Sequence, residues 1–201
     1  MELLFATSNP HKLVEVRAIF AEHGIVVIGL DALESQPAEP VEDGATFEDN
    51  ARIKAVEYAR VTGLRCLAED SGLEVDALGG APGVHSARYA GEEGSRGDRD
   101  RRNNEKLLAA MADVPSEKRS ARFVCSMCVA DPDGGILAET RGTYEGRIAF
   151  EPRGEGGFGY DPLLYLPDVD CTSAELTPDA KNARSHRGAA ARAMAARLTF
   201  A

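Results

Sequence analysis

The chain has 201 residues, 43% hydrophobic and 28% charged, enough for one sizeable core or two closely joined lobes and ordinary for a globular protein in water. Its formal net charge of −10 excludes a broad nucleic-acid-binding face, which needs basic surface, so a small anionic substrate would require a local positive pocket or a metal ion. No apolar run approaches the roughly 20 residues of a membrane span, and the N-terminus has neither a basic n-region nor a small-residue cleavage site. The expectation is therefore a cytoplasmic protein with no membrane partner.

Leu3-Leu4-Phe5-Ala6 reads as a short buried strand. Asn9-Pro10 follows, a helix N-cap with proline at the first helical position, and the helix ends at Gly24. Residues 25–28 are β-branched and predict a second strand, and residues 38–44 an acidic loop. A second helix spans residues 46–62, opened by the weak capping box Thr46-x-x-Asp49 and closed by Gly63. Residues 66–68 lead into Glu69-Asp70-Ser71-Gly72, read as a turn or bulge, after which Leu73, Val75 and Ala77 alternate with acidic residues as a strand.

Residues 91–105 are charge-dense and read as a solvated connection into a helix over 104–111. Two long strands, 122–130 and 135–146, flank the hairpin signal Pro132-Asp133-Gly134-Gly135. A glycine-rich loop covers 154–159, and an alanine-rich helix covers 188–198. Early β-α-β elements followed by hairpin strands predict an α/β fold with a mixed sheet. Cys125-x-x-Cys128 lies on a strand, where positions three apart face opposite ways, so its thiols are expected to be structural.

Chemistry can sit in four places. Thr7-Ser8-Asn9-Pro10-His11-Lys12 places a helix N-terminus after a strand, where free N–H groups and the dipole favour an anion. Lys12 in the first turn is disfavoured by the dipole unless an anion lies between them; the alternative is a solvent-facing lysine. Glu42 and Asp70 are hard oxygen ligands suited to Mg²⁺, which takes one or two carboxylates plus substrate phosphates; the alternative is an acidic loop and turn. Of Glu69 and Asp70, neighbours on a strand, only one is expected to face a site, and Asp70 is the better placed.

On a helical wheel, Lys54 falls on the apolar side with Phe47, Ala51 and Tyr58, opposite Glu48, Asp49, Arg52 and Arg60. It either holds a phosphate or snorkels to solvent. The last place is Gly156-Gly157-Phe158-Gly159-Tyr160-Asp161-Pro162 with Lys181 and Ser185-His186-Arg187. Glycines there permit close approach and aromatics can stack on a base. The alternative is a tight turn beside a polar helix start.

Together these segments resemble the HAM1-like inosine/xanthosine triphosphate pyrophosphatase family. The matching stretches run in order from residues 6–12, through Glu42-Asp43-Gly44-Ala45-Thr46-Phe47, Asn50-Ala51-x-x-Lys54-Ala55 and Asp70-Ser71-Gly72-Leu73, to Leu78-Gly79-Gly80-Ala81-Pro82-Gly83 and Ser86-Ala87-Arg88-Tyr89. They end with residues 156–162 and Ser185-His186-Arg187-Gly188.

The resemblance implies one domain over residues 1–201, an elongated two-lobed α/β fold with a central mixed β-sheet flanked by helices, and an active-site cleft between the lobes. It also implies a homodimer and Mg²⁺-dependent hydrolysis of ITP, dITP and XTP to the monophosphate and pyrophosphate. By the same resemblance Thr7, Ser8, Asn9, Pro10, His11, Lys12 and Lys54 hold the triphosphate, and Glu42 and Asp70 bind the metal. Asp70 also accepts the proton, Ser71 touches the substrate, and Phe158, Gly159, Tyr160, Asp161, Lys181, His186 and Arg187 form the base pocket. Arg184 stands where the family has an aliphatic residue, and Asp179-Ala180 replaces a more acidic pair, which bears on the loop before His186. The rivals are a Maf-like pyrophosphatase of other base preference, against which Ser185-His186-Arg187 speaks, and a non-catalytic nucleotide-binding module, against which Lys12, Glu42, Lys54 and Asp70 speak.

Overall fold

The computed structural model describes residues 1–199; the last two residues of the expected domain lie outside them. Strands β1 (Glu2–Phe5), β2 (Val26–Gly29), β3 (Cys66–Val75), β4 (Ser120–Ala130), β5 (Ile136–Ile148), β6 (Leu164–Leu166) and β7 (Cys171–Thr172) form one mixed sheet in the order β2-β1-β3-β4-β5-β6-β7. β1 runs parallel to β2 and β3, whereas β6 is antiparallel to β5 and β7. The helices are α1 (Pro10–Glu22), α2 (Phe47–Thr62), α3 (Arg96–Ala110), α4 (Pro178–Arg184) and α5 (His186–Thr199).

By chain contacts the molecule divides into two compact units. The first comprises Met1–Ser71, Cys125–Gly142 and the segment from Ser185; the second comprises Gly72–Val124 and Thr143–Arg184. In the first unit the pleat sorts side chains between two cores. Leu3, Phe5, Cys125 and Met127 pack with Val16, Ile19 and Phe20 of α1 and Ala190, Ala191 and Met194 of α5. Their neighbours Leu4, Ala6 and Cys128 pack instead with Ala51, Ala55 and Tyr58 of α2. Cys125 and Cys128 thus sit in separate cores, and all four cysteines are unbridged. The second unit has its own core of Leu73, Val75, Leu107, Met111, Phe123, Tyr144 and Leu163.

Local chemistry explains the helix ends. Asn9 Oδ1 accepts the His11 N–H at 3.1 Å with Pro10 at the first position, and Thr46 Oγ1 accepts the Asp49 N–H at 3.1 Å. Gly63 closes α2 at φ +67°, a left-handed conformation costly for a residue with a Cβ.

Three sequence expectations are corrected. Glu69-Asp70-Ser71-Gly72 is not a turn: β3 runs straight through it, because the polar side chains all find partners without the chain reversing. Gly72 marks a close approach instead, since a Cβ there would stand 2.3 Å from Ser86 Oγ. The charge-dense stretch before residue 104 is helical from Arg96. Ser95 caps it by accepting the Asp98 N–H at 3.2 Å, and Asp98 pairs with Arg101 along the helix. The last helix begins at His186 rather than Gly188, with Ser185 Oγ accepting the Gly188 N–H at 3.0 Å. Strands β6 and β7 and helix α4 are not signalled by the sequence pattern.

Candidate active site

Two polar clusters carry the expected site residues, one in each unit. In the first unit, β1 delivers the chain to Thr7, whose hydroxyl accepts the Asn9 N–H at 3.2 Å as α1 begins. Asn9 is buried; its oxygen caps the helix, but its Nδ2 has no hydrogen-bond partner among the described residues. A buried, unused donor beside a helix N-terminus is what an anion would satisfy. Ser8, Pro10 and His11 are exposed, and Thr7 and Lys12 are half-buried.

Lys12 reaches Glu69, with Nζ 2.8 Å from Oε1. Glu69 is buried and accepts two further bonds from Arg187, from Nε at 2.8 Å and from Nη2 at 3.0 Å. Arg187 also donates to Glu15 Oε2 at 2.7 Å and to Ser71 Oγ at 3.1 Å. Burial alone would raise the Glu69 carboxyl; Arg187 and Lys12 beside it hold it well below the usual carboxylate range. The set of Lys12, Arg187, Glu69 and Glu15 is charge-balanced. Arg187, expected at the base, is engaged inside the first unit.

The next residue along β3 faces the other way, as the pleat requires. Asp70 Oδ2 accepts Asn50 Nδ2 at 2.9 Å, and Asp70 Oδ1 lies 3.9 Å from Lys54 Nζ. Lys54 Nζ is 2.9 Å from Glu42 Oε2. Lys54 therefore neither snorkels nor stands alone: it leaves the apolar face of α2 to meet two carboxylates. Burial pushes the Asp70 carboxyl up, against the pull of Lys54, the Asn50 amide and Lys12.

Two groups of this cluster are not apparent from the sequence. The strand period turns Glu69 away from Asp70 and gives no hint of what it meets. Asn50 is buried one helical turn before Lys54 and also accepts the Gly44 N–H at 2.8 Å, tying the acidic loop to Asp70. An asparagine on the apolar face of α2 is the signal that could have found it.

Glu42, Asp70 and Lys54 together carry one net negative charge. Among the described residues no three His, Cys, Asp or Glu side chains converge as a self-sufficient metal cage. Two carboxylates with an excess negative charge fit a hard cation that draws its remaining ligands from phosphate and water.

In the second unit, Asp161 organises the glycine-rich loop. Its buried carboxylate accepts the Phe158 N–H at 2.8 Å, Lys181 Nζ at 2.7 Å and Ser173 Oγ at 2.8 Å. Gly157 is compelled twice: φ is +74°, and a Cβ would lie 2.1 Å from Asp161 Oδ2. Lys181 Nζ and the Arg96 guanidinium lie 4.8 and 5.0 Å from the centre of the Phe158 ring. Tyr160 is a core residue, its hydroxyl donating to Ser86 O at 2.8 Å. Of the residues expected at the base, Phe158, Gly159, Tyr160, Asp161 and Lys181 thus gather in this unit. His186 and Arg187 open α5 in the first unit, with His186 buried.

The Ham1 family model matches residues 3–197. The chain belongs to the Ham1 family. It is 48% identical to the dITP/XTP pyrophosphatase of Exiguobacterium sibiricum over 99% of this chain and 98% of that one. It is 49% identical to the protein of the same name from Nocardia farcinica, over 94% of this chain and 91% of that one. A solved HAM1 protein from Coxiella burnetii superposes with a TM-score of 0.89 at 40% identity, covering 100% of each chain. The Ham1 fold accounts for the mixed seven-stranded sheet flanked by helices.

Proposed function

We propose that this chain hydrolyses non-canonical purine nucleoside triphosphates (dITP, XTP and ITP) to the nucleoside monophosphate and pyrophosphate. The observation that carries the reading lies in the first unit: Lys12 and the unused buried Asn9 amide donor stand at the start of α1, and Lys54 meets Glu42 and Asp70, a carboxylate that also feels the charge of Lys12. Near-full-length relatives named dITP/XTP pyrophosphatase support the substrate class.

In this reading Lys12, Asn9 and the α1 N-terminus take the phosphates, and Lys54 neutralises charge that builds on the departing pyrophosphate. Water oxygen bonds to the α-phosphorus while the bond from that phosphorus to the α–β bridging oxygen breaks. The water's proton passes to the Asp70 carboxylate, whose raised affinity for protons suits a general base. Glu42 and Asp70 would hold a Mg²⁺ ion. When bound, it would supply charge neutralisation on the phosphates as a Lewis acid. The loop organised by Asp161 takes the base, with Phe158 stacking on it. A 6-oxo purine offers an acceptor where adenine offers an amino donor, so hydrogen-bond donors in the pocket favour it. A cytoplasmic homodimer is part of the same proposal, resting on the family resemblance.

The deciding experiment measures product and base together. ITP should yield IMP and pyrophosphate in equal amounts, with kcat/KM for ITP or XTP exceeding that for ATP and GTP by at least about 10²-fold. IDP and orthophosphate as products, or similar rates for all four purines, would overturn it.

A further inference from the structure

Helix α3 holds the base loop at one residue. Asp100 and Asn104 stand one turn apart on α3 and so share a face. The Gly159 N–H donates to Asp100 Oδ2 at 2.9 Å, and the Gly159 carbonyl accepts from Asn104 Nδ2 at 2.9 Å. Both polar backbone groups of a single residue are thus gripped by one helix. Gly159 has φ +63°, and nothing lies within 4 Å of where a Cβ would be, so conformation rather than crowding calls for glycine. Glycine's backbone has many alternatives to this geometry, and outside contacts must select it.

The preceding residue, Phe158, has its own N–H held by Asp161 at 2.8 Å. The chain on either side of the Phe158 side chain is therefore fixed, by Asp161 at its own peptide and by α3 at the next. A second observation sets Asn104 apart from an ordinary helix residue. Its Oδ1 is buried with no hydrogen-bond partner among the described residues. A buried unpaired acceptor is unfavourable, and a helix position that only needed a polar residue would not retain it. The amide is oriented by Gly159, leaving its own oxygen unsatisfied.

We propose that Asp100 and Asn104 are positioning residues for base discrimination: they clamp Gly159 and so set the plane of the Phe158 ring against the purine. This rests on the reading that the loop over 156–161 receives the base. Both residues lie in the second unit, apart from the lysines read as holding the phosphates, so the clamp acts on the choice of base and not on the chemistry.

The test compares Asp100→Ala, Asp100→Asn and Asn104→Asp with wild type, using ITP and ATP with Mg²⁺. Asp100→Asn keeps an oxygen for the Gly159 N–H, whereas Asn104→Asp turns the donor facing the Gly159 carbonyl into an acceptor. Asp100→Ala and Asn104→Asp should each lower the ITP-to-ATP ratio of kcat/KM about tenfold, the scale of one lost hydrogen bond in a polar-reading site, while Asp100→Asn stays within about twofold. Hydrogen exchange at the Gly159 amide should accelerate in Asp100→Ala and stay near wild type in Asp100→Asn. A purely structural role would depress ITP and ATP hydrolysis equally, and that result, or an unchanged ratio, overturns the proposal. If Asn104→Asp does not fold, the Asp100 pair decides alone. If wild type shows no preference for ITP, the base-reading function fails; unchanged Gly159 exchange in Asp100→Ala would then separately overturn the clamp.

Discussion

Replacing Lys54 by methionine separates a phosphate ligand from a mere buried cation. As an isolated ammonium on an apolar helix face, which is how the sequence alone presents it, Lys54 would be a liability, and Lys54→Met would leave the melting temperature unchanged or raised. The structure reverses that sign. Nζ lies 2.9 Å from Glu42 and 3.9 Å from Asp70, and the three side chains are 11%, 25% and 14% exposed. Methionine preserves the stem on the buried side of α2 but leaves two largely desolvated carboxylates without their cation. Asp70 keeps its bonds from Asn50 and its own strand, and Glu42 retains some access to water, so the full penalty of a broken buried pair does not apply. A loss of about 1–3 kcal/mol is expected, below the range for a fully buried pair. For a chain of this length that is a fall of about 2–12 °C in Tm. Mg²⁺ should recover more of that loss in the variant than it adds to wild type, because a cation held by Glu42 and Asp70 would offset the charge that the ammonium no longer balances. Scanning calorimetry of both proteins over a Mg²⁺ titration, beside steady-state kinetics on ITP, measures this. KM should rise by about tenfold or more, the scale of one lost charge-assisted contact. A variant that melts at or above wild type and keeps its KM would refute the reasoning.

Asp70→Asn retains shape and the Asn50 contact geometry but cannot take a proton, so kcat should fall by about 10²-fold or more with a smaller change in KM, measured with ITP. Chelation should abolish pyrophosphate release and added Mg²⁺ restore it; full turnover in metal-free buffer would contradict the assignment of Glu42 and Asp70. Burial pushes the Cys66 and Cys128 thiols up to about 12 and Cys125 well above its ordinary value. At pH 8 these thiols are therefore protonated as well as covered. A thiol reagent should label at most Cys171 in the native protein and all four cysteines after denaturation, and a second fast-reacting thiol would show that a core is open.

Much of the first cluster is legible in the sequence because local chemistry announces it. Asn9-Pro10 sets the start of α1, Thr46 sets the start of α2, and the 3.6-residue period alone puts Lys54 among apolar neighbours. Glu69 is legible only by halves. The strand period says that it and Asp70 face opposite ways, but what waits on the far face is Arg187, 118 residues away, and no local pattern encodes that pairing. The same limit hides the helical first half of α3. Its charged residues look like a solvated loop until Ser95 is recognised as a cap and Asp100 and Asn104 are seen gripping Gly159. The short strands β6 and β7 carry too few residues for a period to show, and they exist because β5 offers an edge to β6 and β6 offers one to β7.

The Arg187 network joins the ends of the chain, since its guanidinium bonds Glu15, 172 residues earlier. The first unit is assembled from the first, middle and last segments of the sequence, whereas the second closes with Arg184. Vectorial synthesis therefore imposes an order. Residues 156–161, Asp100 and Asn104 are all synthesised before α5 begins, whereas Glu15 and Glu69 wait for the arginine that, with Lys12, balances their charge. A chain cut before α5 would leave Glu15 and Glu69 without the guanidinium that bonds both, and so would carry uncompensated charge beside the first core.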